Sequence, residues 1–109
     1  MNDISDLQNL ELHDAILLGI NLDPINCAAE IRLAYYPSEG ASDRIEGTLK
    51  FGDVSNFNQL LDFELMTKHA SFGNISYWVT GETPGLTHIY LARGLISITS
   101  KSVEMANGV

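Results

Sequence analysis

The chain has 109 residues, the usual size of one domain, and 45% of them are hydrophobic, so it can build one compact core. Fourteen acidic residues against six basic ones give a formal net charge of −8, and the basic residues are scattered along the chain. Because a nucleic-acid binder needs clustered cations to replace the counterions around phosphates, this composition argues against DNA or RNA binding.

The N-terminal sequence and the lack of long apolar runs argue against a membrane protein. The longest uninterrupted aliphatic stretch, Ala15 to Leu18, is far too short to span a bilayer. The first ten residues carry two aspartates and no lysine or arginine, unlike a secretory signal. We therefore expect a cytoplasmic protein with a single domain over residues 1–109 and flexible ends at 1–6 and 106–109.

Apolar residues alternate with other residues on both sides of positions 23–26. Those four positions begin with Asp-Pro, which is typical of a type I turn. With them as the loop, Leu22 faces Cys27, and the paired apolar side chains of the two strands share one face. The pattern predicts a hairpin over 15–35 with Cys27, the lone cysteine, in the core.

His13 and Asp14 stand directly before this hairpin. Adjacent side chains on an extended segment point to opposite faces, so the two residues are not expected to form a catalytic dyad. His13 is instead interpreted as a hydrogen-bonded or half-exposed residue where the strand begins.

Residues 87–100 carry the second clear alternation. With positions 93–94 as a two-residue turn, Ile89 faces Ile98 on an apolar face and His88 lies on the more polar face. Arginine is not a preferred first residue of such a turn, so a loop of three or four residues stays open. The pattern predicts a second hairpin in either case.

Two further strands are predicted between the hairpins, over 45–51 and 74–80, again from alternating residues. In the second of these strands, Tyr77 falls on the same side as the aliphatic residues and Trp78 falls on the other side.

One helix is expected within 56–70, and residues 54–61 either belong to it or continue the sheet. The predicted fold class is α+β, mainly β: a twisted antiparallel sheet of five or six strands with one helix over an apolar face. A half-closed β-barrel is the alternative architecture.

The two ends of the chain carry short distinctive stretches, LHDAILLGI at 12–20 and GLISITSKSVEM at 94–105. They resemble a loose group of small bacterial proteins of unknown function that includes predicted immunity proteins of polymorphic-toxin systems. The resemblance leaves residues 37–86 unmatched. It implies an intracellular, non-catalytic binding protein and supplies no functional residues.

Sequence motifs for catalysis are absent. The chain has no glycine-rich phosphate loop and no G-x-S-x-G motif. His13, His69 and His88 lack the i,i+4 spacing of metal ligands on a helix. Cys27 and His88 are expected on different sides of the sheet and so do not form a nucleophilic pair. We predict no catalytic residues, no metal site and no cofactor.

Aromatic side chains provide the candidate binding residues. Tyr36, Trp78 and Tyr90 occupy positions that need not be buried, and with Glu82 and His88 they form the predicted site. The alternative is that the helix covers that face and all three aromatic residues are core. The leading hypothesis is a non-catalytic protein-interaction module, immunity-like, that binds an unknown partner protein through an acidic and aromatic surface.

Three other hypotheses stay open. A small-molecule binding domain would have an apolar pocket between sheet and helix, lined by Trp78 and tyrosines. An enzyme would need convergent histidine, aspartate or glutamate side chains in a cleft. A homodimer would form if an exposed sheet edge pairs with itself.

Overall fold

The computed structural model of the chain describes residues 10–38, 40–69, 73–81 and 85–107. These residues form a mainly β protein with eight strands and one short helix. The elements, in chain order, are β1 (Ile16–Asp23), β2 (Ala28–Tyr35), β3 (Ile45–Gly52), β4 (Asn56–Leu60), α1 (Phe63–Lys68), β5 (Ile75–Thr80), β6 (Leu86–Leu91), β7 (Gly94–Thr99) and β8 (Ser102–Asn107).

The strands form two four-stranded antiparallel sheets rather than the single sheet of five or six strands that was predicted. Sheet A has the strand order β4-β7-β6-β5, and sheet B has the order β1-β2-β3-β8. The described residues form no closed barrel. The two predicted hairpins lie in different sheets, so the apolar faces of the hairpins cover each other.

The core lies between the sheets, and α1 contributes little to it. The helix has no buried residue, and only Met66 packs partly against the core. The expectation that a helix covers an apolar sheet face is therefore wrong. The buried hydrophobic residues form one cluster with members from both sheets: Leu12, Ala15, Ala29, Ile31, Leu33, Tyr35, Leu49, Phe51, Ile75, Trp78, Ile89, Leu91, Ile96, Ile98 and Met105.

The first hairpin forms, but its register differs from the prediction. Leu22 lies opposite Ala29 rather than Cys27, because the turn occupies residues 24–27. Cys27 has a positive φ of 53° and its thiol is exposed, so its predicted core position is wrong. A left-handed backbone fits the end of a turn and not a strand.

The second hairpin has the same kind of shift. Ile89 lies opposite Ile96, so the two-residue turn is Ala92-Arg93 rather than residues 93–94. Gly94 is required for a different reason, since a Cβ atom there would overlap the carbonyl oxygen of Leu60 on the neighbouring strand. Next to each turn the pairing moves by two residues, so the apolar side chains there stay on the inner face. Before the bulge between Leu17 and Gly19 the shift is one residue, and Leu17 takes the inner place predicted for Ile16.

The region between the hairpins resolves the alternatives that the sequence left open. Helix α1 lies within 56–70 as predicted, and residues 56–60 continue the sheet as β4. Asp62 caps the helix, because its carboxylate accepts a hydrogen bond of 3.0 Å from the backbone N–H of Leu65. Within the described residues, no helix has the length and apolar character needed to cross a membrane.

The C-terminal strand, β8, was not predicted. Ala106 and Asn107, which were expected to belong to a flexible end, pair with Thr48 and Gly47 on β3. The remaining residues of the two predicted flexible ends lie outside the described ranges.

Candidate functional site

Two tyrosines stack on the outer face of sheet A. Tyr77 on β5 lies directly opposite Tyr90 on β6, and their ring centroids are 4.5 Å apart at an interplanar angle of 16°. Tyr77 is 51% exposed although it has a neighbouring ring to contact. His88, two residues from Tyr90 on the same strand face, has its ring centroid 6.0 Å from that of Tyr90. The outer face therefore presents an accessible aromatic pair next to an imidazole.

The tyrosine pair is part of an apolar row across all four strands of sheet A. Strand pairing continues the row from Tyr90 to Leu95 on β7 and from Leu95 to Leu60 on β4. Leu60 is 70% exposed. We call the outer side of sheet A the tyrosine face, and its described members are Tyr77, Val79, Leu86, His88, Tyr90, Leu95, Ser97, Thr99, Asn56, Asn58 and Leu60.

The tyrosine face lacks fixed charge. None of its described members is aspartate, glutamate, lysine or arginine, although the whole chain carries 14 acidic residues. An accessible apolar and aromatic patch without charged groups is the composition found at the centre of protein–protein interfaces. A partner can therefore displace water from the tyrosine face without burying a described charged side chain.

A β-bulge turns Tyr77 outward. The pairing of β5 with β6 shifts between Ile75 and Tyr77, which leaves Ser76 as the extra residue. Beyond the bulge the alternation is inverted, so Tyr77 points to solvent and Trp78 is only 9% exposed in the core. The predicted orientation, with Tyr77 inward and Trp78 outward, is wrong. The prediction counted Ser76 as a paired strand residue, whereas Ser76 has no partner on β6 and so reverses the directions of the side chains that follow it.

Trp78, which was predicted to be a binding residue, is buried and anchors the N-terminal segment. Its indole N–H donates a hydrogen bond of 2.8 Å to the carbonyl oxygen of Leu10. A buried tryptophan with its polar hydrogen satisfied is a core anchor for the N-terminal segment. Trp78 therefore does not belong to the accessible surface.

The other predicted site residues separate into two groups. Tyr90 and His88 lie together on the tyrosine face, whereas Tyr36 follows the end of β2 and has the guanidinium carbon of Arg44 4.9 Å from its ring centroid. That geometry is a cation–π contact within the molecule. Glu82 lies outside the described residues. The acidic part of the predicted surface therefore has no described member, and Tyr77 is the residue that sequence reasoning missed.

His13 and Asp14 do contact each other, contrary to the sequence-based expectation. The distance between His13 Nε2 and an Asp14 carboxylate oxygen is 3.4 Å, and His13 Nδ1 lies 3.0 Å from the carbonyl oxygen of Ser76. Asp14 has a φ of 64°, so the segment is a turn in which adjacent side chains can approach. Both side chains are more than half exposed.

The contacts of this turn are structural. The backbone N–H of Asp14 donates to the carbonyl oxygen of Ile75, and the guanidinium of Arg44 donates to the carbonyl oxygen of Asp14 at 3.1 Å. His13, hydrogen-bonded to Ser76, holds the turn against the bulge that positions Tyr77. The pair therefore supports the edge of sheet A, and His13 has the hydrogen bond that was expected of it where the first strand begins.

An open apolar groove of about 750 Å³ lies between β1 and α1. Its walls include Leu18 and Phe63, which are 39% and 73% exposed. Neither Trp78 nor a tyrosine is among its described lining residues, which differs from the predicted ligand pocket. The groove is lined mainly by aliphatic residues, Phe63 and Met66, and its polar lining residues are Gln59, Thr67 and Asn74.

Titratable groups add little to the candidate chemistry. The described residues contain no cluster of three or more histidine, cysteine, aspartate or glutamate side chains arranged to hold a metal ion. A hydrogen bond from the Asn26 side-chain amide, aided by its backbone N–H, holds the pKa of Asp23 below its ordinary value.

Comparisons with protein families, curated proteins and solved structures found no significant match to this chain.

Proposed function

We propose that this chain is a non-catalytic protein-interaction module that binds a partner protein through the tyrosine face. The observation that supports this proposal best is the half-exposed ring of Tyr77 stacked on that of Tyr90, on a sheet face without described charged residues. Tyrosine is enriched among the residues that contribute most to binding, because it buries a large area with few rotatable bonds.

The architecture of the face suits a protein more than a small molecule. The row from Tyr77 to Leu60 crosses four strands, so it offers a broad and flat surface rather than an enclosed cavity. Flat surfaces with aromatic anchors are typical of protein interfaces, whereas small ligands need concave sites that bury most of their surface.

The net charge indicates the kind of partner. A chain with a formal charge of −8 is drawn toward a basic protein, and long-range attraction speeds the encounter while the uncharged face makes the contact. The expected partner carries a positively charged surface around an apolar or aromatic patch. A basic toxin domain is the first candidate to test, given the resemblance of the two chain ends to predicted immunity proteins.

The test is affinity capture from a lysate of the source organism, followed by titration of the captured protein. Tyr77→Ala should weaken binding by roughly tenfold or more, since it removes the more exposed ring of the aromatic anchor. Lys50→Ala, an exposed substitution on the outer face of sheet B, is the matched control and should bind like the wild type.

The salt dependence of the interaction provides a second readout. The association rate should fall as salt rises, because attraction between an acidic chain and a basic partner is screened. A captured protein that binds Tyr77→Ala and the wild type equally would contradict the proposal.

A further inference from the structure

Strand β4 leaves one side of its backbone unpaired at an edge of sheet A. Among the described residues, β7 is the only strand that pairs with it. The carbonyl oxygen of Leu60 points toward β7, because a Cβ atom on Gly94 would overlap it. Since the N–H and C=O groups of successive strand residues point to opposite sides, those of Phe57 and Gln59 point away from β7. No other hydrogen bond between described backbone groups reaches these two residues.

Strand β4 also lacks the features that protect the other three sheet edges. Strand β5 has a bulge and a bridge between Ala15 and Ile75. Strand β1 has a bulge, and the N–H of its Leu17 donates to the side chain of Asn74. Strand β8 carries Glu104. Strand β4 pairs in a regular register, and its sequence NFNQL contains no charge and no proline, so it is the edge most open to another strand.

We infer that an extended segment of the partner protein joins sheet A beside β4, as an antiparallel fifth strand. The inference rests on the proposed function, since Leu60 on β4 is the last residue of the apolar row on the tyrosine face. A fifth strand continues this face beyond Leu60. Its own N–H and C=O groups bond those of Phe57 and Gln59, as in other cases of strand addition to a sheet edge.

The inner side of this edge has room for the side chains of such a segment. Phe57 lines a hollow of about 350 Å³, whose other walls include Leu22 and Val54. Gln59, on the same side of β4 as Phe57, lines the groove beside α1 and is exposed. The two residues are two positions apart, which is the repeat of side chains on one face of a strand. Successive inward side chains of an added strand therefore meet one hollow each.

Charge favours a partner segment over a second copy of this chain. Strand β4 is uncharged, but Asp53 precedes it and Asp62 follows it along the chain, and Asp23 lines the smaller hollow. Lysine or arginine at the ends of an added segment is attracted to these carboxylates, whereas β4 of a second copy brings the same acidic residues with it. The expected segment therefore has apolar residues at alternating positions and basic residues at both ends.

The experiment is a titration of the full chain with the synthetic peptide Lys-Val-Thr-Val-Thr-Val-Lys, followed by NMR of the backbone amides. The peptide should bind with a dissociation constant of about 1 mM or tighter. It should slow hydrogen exchange at the amides of Phe57 and Gln59, which have no described backbone partner in the free chain. The amide of Asn58, which faces β7, should exchange at the same rate with and without the peptide.

The peptide backbone provides a matched control. Residues that exchange hydrogen bonds across an antiparallel pair have their side chains on the same face, so the inward valines turn their N–H groups toward β4. N-methylation of the central valine removes such a donor and should weaken binding at least roughly tenfold. N-methylation of a threonine, whose N–H faces solvent, should leave binding unchanged.

A pair of substitutions tests the same bond from the other side. Gln59→Pro removes the outward N–H, and because that group does not bond β7, proline is tolerated there. The variant should bind the peptide at least roughly tenfold more weakly than the wild type. Gln59→Thr changes the same side chain but keeps the N–H, and should bind like the wild type. The melting temperatures of both variants show whether they are folded.

The inference and the proposed function fail in different ways. A captured partner protein that loses binding with Tyr77→Ala but not with Gln59→Pro would support the tyrosine face and overturn the added strand. A captured partner that loses binding with Gln59→Pro but not with Tyr77→Ala would contradict the tyrosine face and support the edge of β4.

The peptide titration has its own contrary results. No binding, or equal binding of the wild type and Gln59→Pro, would overturn the inference. Equal binding of the two N-methylated peptides would overturn it as well, because charge alone would then explain the contact. Slow exchange at Phe57 and Gln59 that depends on the concentration of the chain without peptide would show that a second copy occupies the edge, which also overturns it.

Discussion

The two sheets bury similar inner faces and present very different outer faces. On sheet B, strand pairing places Glu30 opposite Lys50 and Lys50 opposite Glu104, and Arg32 and Glu46 add further charges. On sheet A, the corresponding row consists of two tyrosines and two leucines, with no described charged residue. Alternating opposite charges across strands keep a sheet face soluble and favour correct pairing. This difference is the basis of our proposal that sheet A, rather than sheet B, carries the binding surface.

The largest expected effect comes from the residues that follow the bulge in β5, where Trp78 points into the core and Tyr77 points to solvent. Trp78→Ala should lower the free energy of unfolding by roughly 3–5 kcal/mol, because it empties a core position and loses the hydrogen bond to Leu10. Tyr77→Ala, at the neighbouring residue, should cost about 1 kcal/mol. Urea unfolding of both variants checks this. Similar losses for the two would contradict the inverted alternation beyond Ser76.

The tyrosine pair should show a measurable coupling. A double-mutant cycle with Tyr77→Ala and Tyr90→Ala should give a coupling free energy of about 1 kcal/mol from urea unfolding, as stacked aromatic pairs do. The matched cycle on sheet B, with Lys50→Ala and Glu104→Ala, should give a smaller coupling that fades with salt. Additive effects of the tyrosine substitutions would show that the rings do not support each other.

The smallest expected effect concerns Asp23, at the turn of the first hairpin and away from the compared rows of the two sheets. The pKa of Asp23 is lowered in the folded chain by its hydrogen bonds with Asn26. Its stabilising contribution is therefore complete above the unfolded pKa and is lost as pH falls through the folded pKa, which lies lower.

Asp23→Asn removes this titration. The wild type should lose stability relative to the variant as the pH falls below about 4, and urea unfolding across that range measures the difference. Parallel pH profiles for the two proteins would contradict the role of this hydrogen bond. Lys50→Ala, which leaves the turn unchanged, is expected to follow the wild-type profile.

Alternation in the sequence predicted the strands but could not predict the bulges. Next to both turns the register shift is two residues, so Ile31 and Ile89 are buried as expected. Before the bulge in β1 the shift is one residue, and Leu17 lies inside where Ile16 was predicted. A bulge leaves no local signal in an alternating sequence, and Ser76, the second residue of β5, resembles any other polar strand residue. That single residue exchanged the roles of Tyr77 and Trp78 and displaced the centre of the candidate site.

The number of sheets could not be predicted because it depends on strand pairing between distant parts of the chain. Strand β4, with the sequence NFNQL, has a weak alternation, and its pairing with β7 depends on residues 35 to 43 positions away. Close contact of Gly94 with the Leu60 carbonyl fixes that pairing, and only the folded chain reveals it. Long-range pairing also decides that the two hairpins belong to separate sheets, since each finds its neighbours elsewhere in the chain.

The most direct test of the tyrosine face is site-specific photocrosslinking in living cells of the source organism. A photoreactive phenylalanine analogue replaces Tyr77 in one version of the chain and Lys50 in another, so the two outer faces are compared in the same fold. The account predicts a discrete crosslinked partner from position 77 and none from position 50. A partner crosslinked only from position 50, or equally from both, would contradict it.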